Sequence, residues 1–181
     1  MGTRVTVGAT TLDVPDRVLL DASFILAVRV PSEHHHHQAA VLFAGLVRAA
    51  RGRQVTLYVF PRVIDEVWWA MARLLWDSHN GPGAWRKLRK ADRKHSFRCC
   101  AAELQAVTRD LTTAQWVNVT DVLPSDVSAA IALVTSPSCS LEPADAFHVA
   151  VMDRLGVTGI ITSDPDFAQL GRLRCLRYDG K

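Results

Sequence analysis

The sequence predicts a single-domain α/β protein with three layers (α/β/α), in which helices cover both faces of a mainly parallel central sheet. Two observations predict this fold. Short apolar runs alternate along the chain with longer helical patterns, which is typical of βαβ units. Of the 181 residues, 49% are apolar, as expected for a folded domain with one sizeable core. We assign residues 17–181 to this domain and residues 1–16 to an N-terminal extension.

The first half of the chain carries clear strand and helix signals. In order, they predict an extended or hairpin lead-in at 4–14, a strand at 18–20, a helix from 22 to about 31, a helix at 39–50, a strand at 55–60 and a helix from 61 to about 76. Ser32 is expected to cap the second helix, and Pro61 suits the first position of the third. The Gly-Pro-Gly segment at 81–83 then interrupts the helical pattern.

The second half continues the alternation. It predicts a long basic helix at 84–110, a strand at 116–120, a helix at 124–135, a loop at 136–140, a helix at 141–155, a strand at 157–162, a short helix at 165–170 and a last strand at 173–178. Gly156 is a suitable helix C-terminus. Because helices separate successive strands, we expect most strand pairs to be parallel.

Composition and cysteine spacing exclude several classes of protein. No apolar stretch approaches the roughly 20 residues of a membrane-spanning helix, and the N-terminus lacks the pattern of a secretory signal. We therefore expect a cytoplasmic protein that does not enter membranes. The four cysteines, Cys99, Cys100, Cys139 and Cys175, form no C-x-x-C pair, so we interpret them as reduced thiols rather than as zinc ligands or a redox motif.

Four acidic residues stand where a metal-dependent enzyme would need them. Asp21 and Asp164 each end an apolar run, and Glu66 lies in the first turns of the helix after the strand at 55–60. In parallel sheets, sites form outside the carboxyl ends of the strands. Asp145 lies within an apolar helix on the same side as Val149. Buried carboxylates are costly unless a cation meets them, so a shared divalent ion is the simplest explanation.

Each acid also has a simpler interpretation. Asp21 and Asp164 could cap the helices that follow them, and Glu66 could interact with the helix dipole or pair with Arg62 one turn earlier. Asp145 has no such local role, because aspartate is a poor residue inside a helix. The four positions together therefore favour a site.

These segments resemble the PIN-domain ribonuclease family, and especially the VapC-type toxins of bacterial toxin–antitoxin pairs. The resemblance covers residues 17–179. Its motifs are Leu20, Asp21 and Ser23; residues 64–67; residues 141–150; and Thr162, Asp164, Asp166 and Phe167 in a T-x-D-x-D-F pattern. The chain departs from a compact toxin by extra residues at the N-terminus and around the basic segment. It also places Asp65 beside Glu66, so that either could be the second acid.

The resemblance implies a PIN-like fold and a Mg²⁺- or Mn²⁺-dependent phosphodiesterase that cleaves RNA. By this resemblance, Asp21, Glu66, Asp145 and Asp164 are the catalytic acids and metal ligands, with Asp166 as an auxiliary ligand. Ser23 would orient a carboxylate or contact a phosphate. The resemblance also implies a homodimer and an antitoxin protein as a partner. The RNA target and the number of metal ions stay open.

The basic residues are concentrated in one segment. Residues 84–98 hold seven basic residues against one acid, a local charge of +6, while the whole chain carries +3. Aromatic residues interleave with these cations, which suits phosphate contact and base stacking. The alternative is a solvated helix face. The candidate RNA-binding residues are Arg86, Lys87, Arg89, Lys90, Arg93 and Lys94.

Two further patterns call for an interpretation. The helix at 61–76 is apolar nearly all round, through Trp68, Trp69, Met71, Leu74, Leu75 and Trp76. We interpret these tryptophans as core or as a dimer or antitoxin interface rather than as a base-stacking platform. The run of histidines at 34–37 could bind a transition metal, but a loop or first helical turn is the preferred interpretation.

Other function classes remain as alternatives. A haloacid dehalogenase-type hydrolase would need a second aspartate two residues after Asp21, where Ser23 stands. A PIN-like module that binds RNA or protein without catalysis is a second alternative, against which the complete set of acids argues. A housekeeping RNA-processing nuclease would share every feature described above with a toxin.

Overall fold

A five-stranded parallel sheet forms the central layer of the fold. The structure, a computed structural model, describes residues 2–8, 10–137 and 140–178. The strands of this sheet are β3 (Arg17–Leu20), β4 (Thr56–Val59), β5 (Val117–Val119), β6 (Gly159–Ile161) and β7 (Arg174–Leu176), arranged in the order β5-β4-β3-β6-β7. All four neighbouring pairs are parallel, which confirms the predicted fold class. Cys139, which we interpreted from the sequence as a reduced thiol, lies outside the described residues.

Seven α-helices lie within the described part of the chain. They are α1 (Ala22–Arg29), α2 (His36–Arg51), α3 (Pro61–Asn80), α4 (Lys90–Cys99), α5 (Ala101–Thr113), α6 (Pro124–Val134) and α7 (Pro143–Leu155), with short 3₁₀ helices at Ala84–Lys87 and Pro165–Gln169. Helix α1 contacts α2 and α3, whereas α6 packs on α7. Because βαβ crossovers are right-handed, the reversal of strand order after β5 places these two groups on opposite faces of the sheet.

The sheet has its topological switch point between β3 and β6. From β3 the chain steps outward to β4 and β5, then returns to the other side of β3 as β6. The side chains of Leu19, Leu20, Ile160 and Ile161 are fully buried, as expected for a parallel sheet covered on both faces. Leu20 pairs with Ile161, so the residues that come after these strands emerge side by side at one edge. Binding sites of open α/β sheets form at such a point.

A separate antiparallel hairpin precedes the sheet. Strands β1 (Gly2–Val7) and β2 (Thr10–Pro15) pair with each other and pack on α2, which confirms the extended lead-in. The hairpin lies so close to Gly45 that a Cβ there would approach the carbonyl oxygen of Thr6 to 2.8 Å. Arg174 Nη1 also donates to Asp13 Oδ2 at 2.6 Å. We keep as a proposal that residues 1–16 are an extension of the domain.

The long basic helix predicted for 84–110 is wrong as a continuous element. The segment forms a 3₁₀ turn, then α4 and α5, with breaks at Leu88 and Cys100. The first break follows from the burial of Trp85, whose backbone N–H donates to Asp77 Oδ1 at 2.7 Å and so ties the 3₁₀ turn back to α3. The second break occurs at buried Cys100, after which α5 turns to pack against α3.

Two helix boundaries also differ from the prediction. Helix α2 begins at His36 rather than after a Ser32 cap, and its N-cap residue, His35, makes no side-chain capping bond. His36 instead contacts the carbonyl oxygen of Ala27 through Nδ1 at 2.8 Å, which fixes the helix start. The histidine run thus lies in a turn and the first helical turn, as expected. Helix α3 continues past Trp76 to Asn80.

The apolar helix α3 is covered mainly by its own chain. It contacts α1 on one side, and α4, α5 and the 3₁₀ turn at Ala84–Lys87 on the other. The sequence did not indicate this second cover, because the basic segment was expected to form one long helix and instead folds as separate short helices. Only Trp68 and Trp69 remain substantially exposed among the large apolar residues of α3, at 37% and 45%.

None of the described helices combines the length and apolar character that a membrane crossing requires.

Candidate metal centre

Two of the four predicted acids, Asp21 and Glu66, lie together with His148 at the edge of the sheet where β3 and β6 end. Asp21 directly follows β3, Glu66 lies in the second turn of α3, and Asp164 follows β6 by three residues. Asp145 lies in the first turn of α7, and His148 lies one turn later on the same helix. One ligand atom each from Asp21, Glu66 and His148 lie within 4.8 Å of one another. Three elements distant in sequence thus supply one compact set of possible metal ligands.

Hydrogen bonds from the start of α1 and from the residue after β6 orient the carboxylate of Asp21. Ser23 Oγ donates to Asp21 Oδ2 at 2.6 Å, and Thr162 Oγ1 donates to the same oxygen at 2.8 Å. Each hydroxyl in turn accepts a backbone N–H, from Ser163 to Ser23 Oγ at 3.1 Å and from Asp164 to Thr162 Oγ1 at 2.9 Å. The other oxygen, Oδ1, accepts no hydrogen bond from any described residue. One oxygen is therefore fixed while the other stays available for a ligand.

Glu66 is held between a histidine and an arginine. His148 Nε2 donates to Glu66 Oε2 at 3.3 Å, and His148 is only 1% exposed. Glu66 Oε1 lies 3.0 Å from Arg62 Nε, but not in hydrogen-bonding geometry, and it is buried without a hydrogen-bond partner among the described residues. Burial raises the pKa of Glu66, yet the hydrogen bond and charge of His148, with the charge of Arg62, hold that pKa below its ordinary value.

Asp145 is the acid whose ionisation is most disfavoured by its surroundings. Its burial, followed by repulsion from Asp164, Asp21 and Glu66, raises the pKa of Asp145 to about 6, although His148 acts in the opposite direction. No described residue donates a hydrogen bond to its carboxylate. A carboxylate in this position is stabilised in its charged form when a cation is present, because the cation screens the repulsion from the other acids.

Asp164 and Asp166 lie at the margin of the cluster. Asp164 Oδ1 accepts the backbone N–H of Asp166 at 2.8 Å and so caps the 3₁₀ helix Pro165–Gln169. Asp166 itself is exposed. The negative charge of Asp164 contributes to the raised pKa of Asp145. Asp164 thus remains a candidate ligand, and the assignment of Asp166 as an auxiliary ligand stays a prediction.

The simpler interpretations of the acids also hold. Asp21 caps α1 through a contact with the backbone N–H of Ser23 at 3.4 Å, Asp164 caps its short helix, and Glu66 pairs with Arg62. These local roles coexist with the cluster, because each uses only one carboxylate oxygen. The two neighbouring acids, Asp65 and Glu66, differ in their surroundings. Asp65 bonds to Arg62 at 3.1 Å and is 43% exposed, whereas Glu66 joins the cluster.

Two residues near this cluster, His148 and Thr162, were not predicted from the sequence. His148 lies one helical turn after Asp145, and that i, i+3 spacing was the signal that could have identified it. Thr162 was noted as part of a motif but was given no role. Its contact with Asp21 depends on the pairing of β6 beside β3, which joins residues 141 positions apart. Such a contact is not visible in local sequence.

The ligand set fits a divalent cation. Its carboxylate oxygens are the atoms that Mg²⁺ and Mn²⁺ prefer, and Mn²⁺ also accepts an imidazole nitrogen. The raised pKa of Asp145 is a liability that a cation would remove. The residues that could hold it are Asp21, Glu66, Asp145, Asp164 and His148.

The basic segment lies beside this centre. Arg86, Lys87, Arg89, Lys90 and Lys94 are exposed, as phosphate contacts require. Arg93 differs, because its guanidinium carbon lies 6.0 Å from the centroid of the Trp85 ring and its Nε is buried. Arg93 therefore packs on the segment itself, and its contact with RNA stays a prediction. Trp85 lines the same groove as Glu66, so this segment borders the acidic cluster directly.

Comparisons with known proteins agree with this geometry. The model of the PIN domain family matches residues 18–173. A crystal structure of Mycobacterium tuberculosis VapC20, a sarcin–ricin loop cleaving toxin, is similar at a TM-score of 0.56 with 18% identity, over 85% of this chain and 95% of that one. A Rickettsia felis VapBC2 structure, bound to a DNA fragment from its promoter, gives 0.54 and 10%, over 90% and 99%. At these identities, the two structures establish the fold alone. Comparison with curated proteins gives no match.

Proposed function

The chain belongs to the PIN domain family, and from this premise we propose that it is a metal-dependent endoribonuclease that hydrolyses phosphodiester bonds of RNA. We further propose that it acts as the toxin of a type II toxin–antitoxin pair and that its ion is Mg²⁺ or Mn²⁺. The similarity in fold to VapC20 and VapBC2 favours the toxin over a housekeeping RNA-processing nuclease. A cytoplasmic location remains an expectation from the sequence.

One observation carries this proposal: Asp21, Glu66 and His148, from three separate elements, have possible ligand atoms within 4.8 Å of one another at the switch point of the sheet. Asp21, Glu66, Asp145 and Asp164 would hold the ion. When bound, the ion would lower the pKa of a coordinated water and neutralise charge on the scissile phosphate. Ser23 and Thr162 orient Asp21 by hydrogen bonds to Oδ2, and His148 positions Glu66 in the same way. Preorganised acids of this kind reduce the reorganisation that catalysis would otherwise require.

Removal of divalent cations should abolish cleavage. Purified protein incubated with RNA is expected to cut it in Mg²⁺ or Mn²⁺, and not in excess chelator, with activity restored when the cation is returned. Without the cation, the acids repel the phosphate that they should bind. Cleavage that persists in chelator would contradict metal dependence. RNA binding without cleavage under every cation condition would favour the alternative, a catalytically silent module.

The exposed basic residues should dock the RNA backbone. Replacing Arg86, Lys87, Arg89 and Lys90 with serine is expected to weaken binding to all RNA sequences and to flatten its dependence on salt. Removal of each phosphate contact should reduce the slope of log affinity against log salt by about 0.7 for single strands. Replacing Arg4, Arg51 and Arg53 with serine is a control at other exposed cations. An unchanged slope would reassign the segment to a solvated face or to an antitoxin-binding surface.

We propose a homodimer and an antitoxin as protein partners. An apolar groove of about 510 Å³ runs between α3 and α5, lined by Trp68, Phe97, Ala101, Leu104 and Thr108, among others. Trp68 is 37% exposed there, and its Nε1 donates to Thr108 Oγ1 at 2.7 Å. We call this surface the Trp68 groove. Exposed apolar surface rimmed by polar residues is typical of protein interfaces.

Light scattering at several protein concentrations should therefore give the mass of a dimer. Burial of Trp68 in that interface would remove its apolar surface from water, which is the main driving force of association. A Trp68→Ser variant should shift the equilibrium towards the monomer. A wild-type protein that stays monomeric and soluble at every concentration without a partner would contradict the dimer and would favour a stand-alone RNA-processing nuclease.

A further inference from the structure

A second groove leads away from the acidic centre along α3. It has a volume of about 360 Å³, within the range typical of small-ligand sites. Its lining residues are Arg62, Asp65, Glu66, Trp69, Ala70, Arg73 and Trp85. We call it the Trp69 groove. Glu66, Trp69 and Arg73 are spaced at i, i+3 and i+7 along α3, so they form one stripe that begins at the acidic cluster.

Trp69 is held in place for contact with a flat ligand. It is 45% exposed, yet its ring meets Phe97 at 4.9 Å and Trp85 at 6.1 Å between centroids, both nearly perpendicular. Trp85 is itself buried and anchored through its backbone N–H to Asp77. Edge-to-face contacts of this kind restrict a ring without covering it. A restricted, exposed ring binds a stacking partner with little loss of conformational entropy.

The charges along the groove suit a nucleic acid. Arg73 is exposed and has no ion-pair partner among the described residues, and exposed Arg86 immediately follows Trp85. The opposite end is acidic, at Glu66. A ligand that spans the groove therefore needs an anionic backbone near the arginines and an aromatic group over Trp69. The Trp68 groove, on the α5 side of the same helix, is mostly apolar and suits a protein partner instead.

We propose that the Trp69 groove binds one unpaired nucleotide of the RNA, adjacent to the phosphate that is cleaved, with its base stacked on Trp69 and its phosphate near Arg73. This inference rests on the proposed ribonuclease function and assigns a nucleotide-binding groove beside the same site. A base can stack on a protein side chain only when it is free of its own helix, so a continuous duplex should not occupy the groove.

The test measures binding apart from cleavage. In the Asp145→Asn background, affinity is measured for a single-stranded oligoribonucleotide, for the same strand annealed to its complement, and for versions with an abasic nucleotide scanned along it. Trp69→Ala should weaken binding of the single strand by about 5- to 150-fold, the range expected for the loss of one stacked base. It should have little effect on the duplex. Trp69→Tyr should restore most of the affinity.

The abasic series provides a readout that a general structural defect would not produce. At one position, removing the base should weaken binding to a protein with Trp69 and should cost the Trp69→Ala variant almost nothing further, because base and ring act as a pair. Trp68→Ala is the control for an effect through self-association, since Trp68 is the neighbouring tryptophan of similar exposure on the groove that we assign to protein partners. Circular dichroism would verify that both variants are folded.

The possible outcomes distinguish failure of the groove assignment from failure of the proposed ribonuclease function. If wild type cleaves RNA but Trp69→Ala binds and cleaves as wild type does, the groove assignment is overturned and the ribonuclease stands. Equal losses in the Trp68→Ala and Trp69→Ala variants would also overturn it. A Trp69→Ala variant that loses self-association while keeping RNA affinity would identify a protein interface instead. A wild type that neither binds nor cleaves RNA would overturn the proposed function, and the groove assignment with it.

Discussion

Replacement of Asp145 with asparagine is expected to abolish metal-dependent RNA cleavage and to leave the fold intact. Asparagine keeps the size of the side chain but removes its charge, so the cluster loses one of the carboxylates proposed to hold the cation. We expect a loss of roughly a hundred- to a thousandfold or more, as for other preorganised groups that stabilise charge in a transition state. The measurement is the rate of cleavage of a labelled RNA at saturating Mg²⁺ or Mn²⁺.

Asp65, the acid next to Glu66 in the chain, supplies the control for this prediction. It is exposed and bonds to Arg62 outside the cluster, so the Asp65→Asn variant should cleave RNA at close to the wild-type rate. Near wild-type cleavage by the Asp145→Asn variant would remove Asp145 from the site. A loss of activity in both variants would point to a general effect of charge at this edge rather than to the ligand set that we propose.

The Asp145→Asn variant should be more stable than wild type when no divalent cation is present. Because the pKa of Asp145 is raised to about 6 in the folded protein from an ordinary value of 3.8, ionised Asp145 destabilises the fold at neutral pH. As pH falls from 8 through 6, the wild type should gain stability as this group binds a proton. The Asp145→Asn variant lacks that gain, so the two melting temperatures should converge as the solution is made more acidic.

The largest loss of stability is expected from Arg154→Met. Asp126 is only 1% exposed, and Arg154 Nε donates to its Oδ1 at 2.7 Å. Oδ2 accepts the backbone N–H of Leu123 at 2.8 Å, which holds the start of α6. Methionine keeps the packing of the long side chain but leaves a buried carboxylate without its charge partner. We expect a loss of about 3 kcal/mol in the free energy of unfolding, measured by urea denaturation.

A second arginine provides the matched control for this prediction. Arg172 pairs with Asp153 at 2.8 Å, but both side chains are about half exposed, at 49% and 46%. An exposed ion pair contributes under about 1 kcal/mol, so Arg172→Met should be nearly neutral. Equal effects from the two substitutions would show that burial of Asp126 does not determine the cost.

The pH dependence of the Asp126 pair has the opposite sign to that of Asp145. The hydrogen bond from Arg154 lowers the pKa of Asp126 below its ordinary value of 3.8. Its contribution to stability is therefore complete above pH 3.8 and is lost only as pH falls through the lower value of the folded state. The deficit of the Arg154→Met variant should accordingly be constant between pH 6 and 8.

Local sequence was sufficient to predict the fold class and most of its elements. The strands are short apolar runs bounded by breakers, and the helices begin at Pro61 and Pro124 and end at Gly156, as their backbone preferences require. The acids could be located for the same reason. Asp21 and Asp164 come after predicted parallel strands, and the carboxyl ends of such strands lie together at one edge of the sheet.

Three features were decided only by the tertiary structure. His148 joins the acids because α7 brings its Nε2 within 3.3 Å of Glu66 Oε2 on α3, and Thr162 reaches Asp21 because β6 pairs with β3. The basic segment breaks into separate pieces, since burying Trp85 against α3 determines its path more strongly than helical propensity does. Propensity and capping act between residues a few positions apart, so the sequence determined the elements and the residues at their ends. Packing joins residues far apart in the chain, and it alone selected which of those residues share a site and which aromatic rings stay exposed beside it.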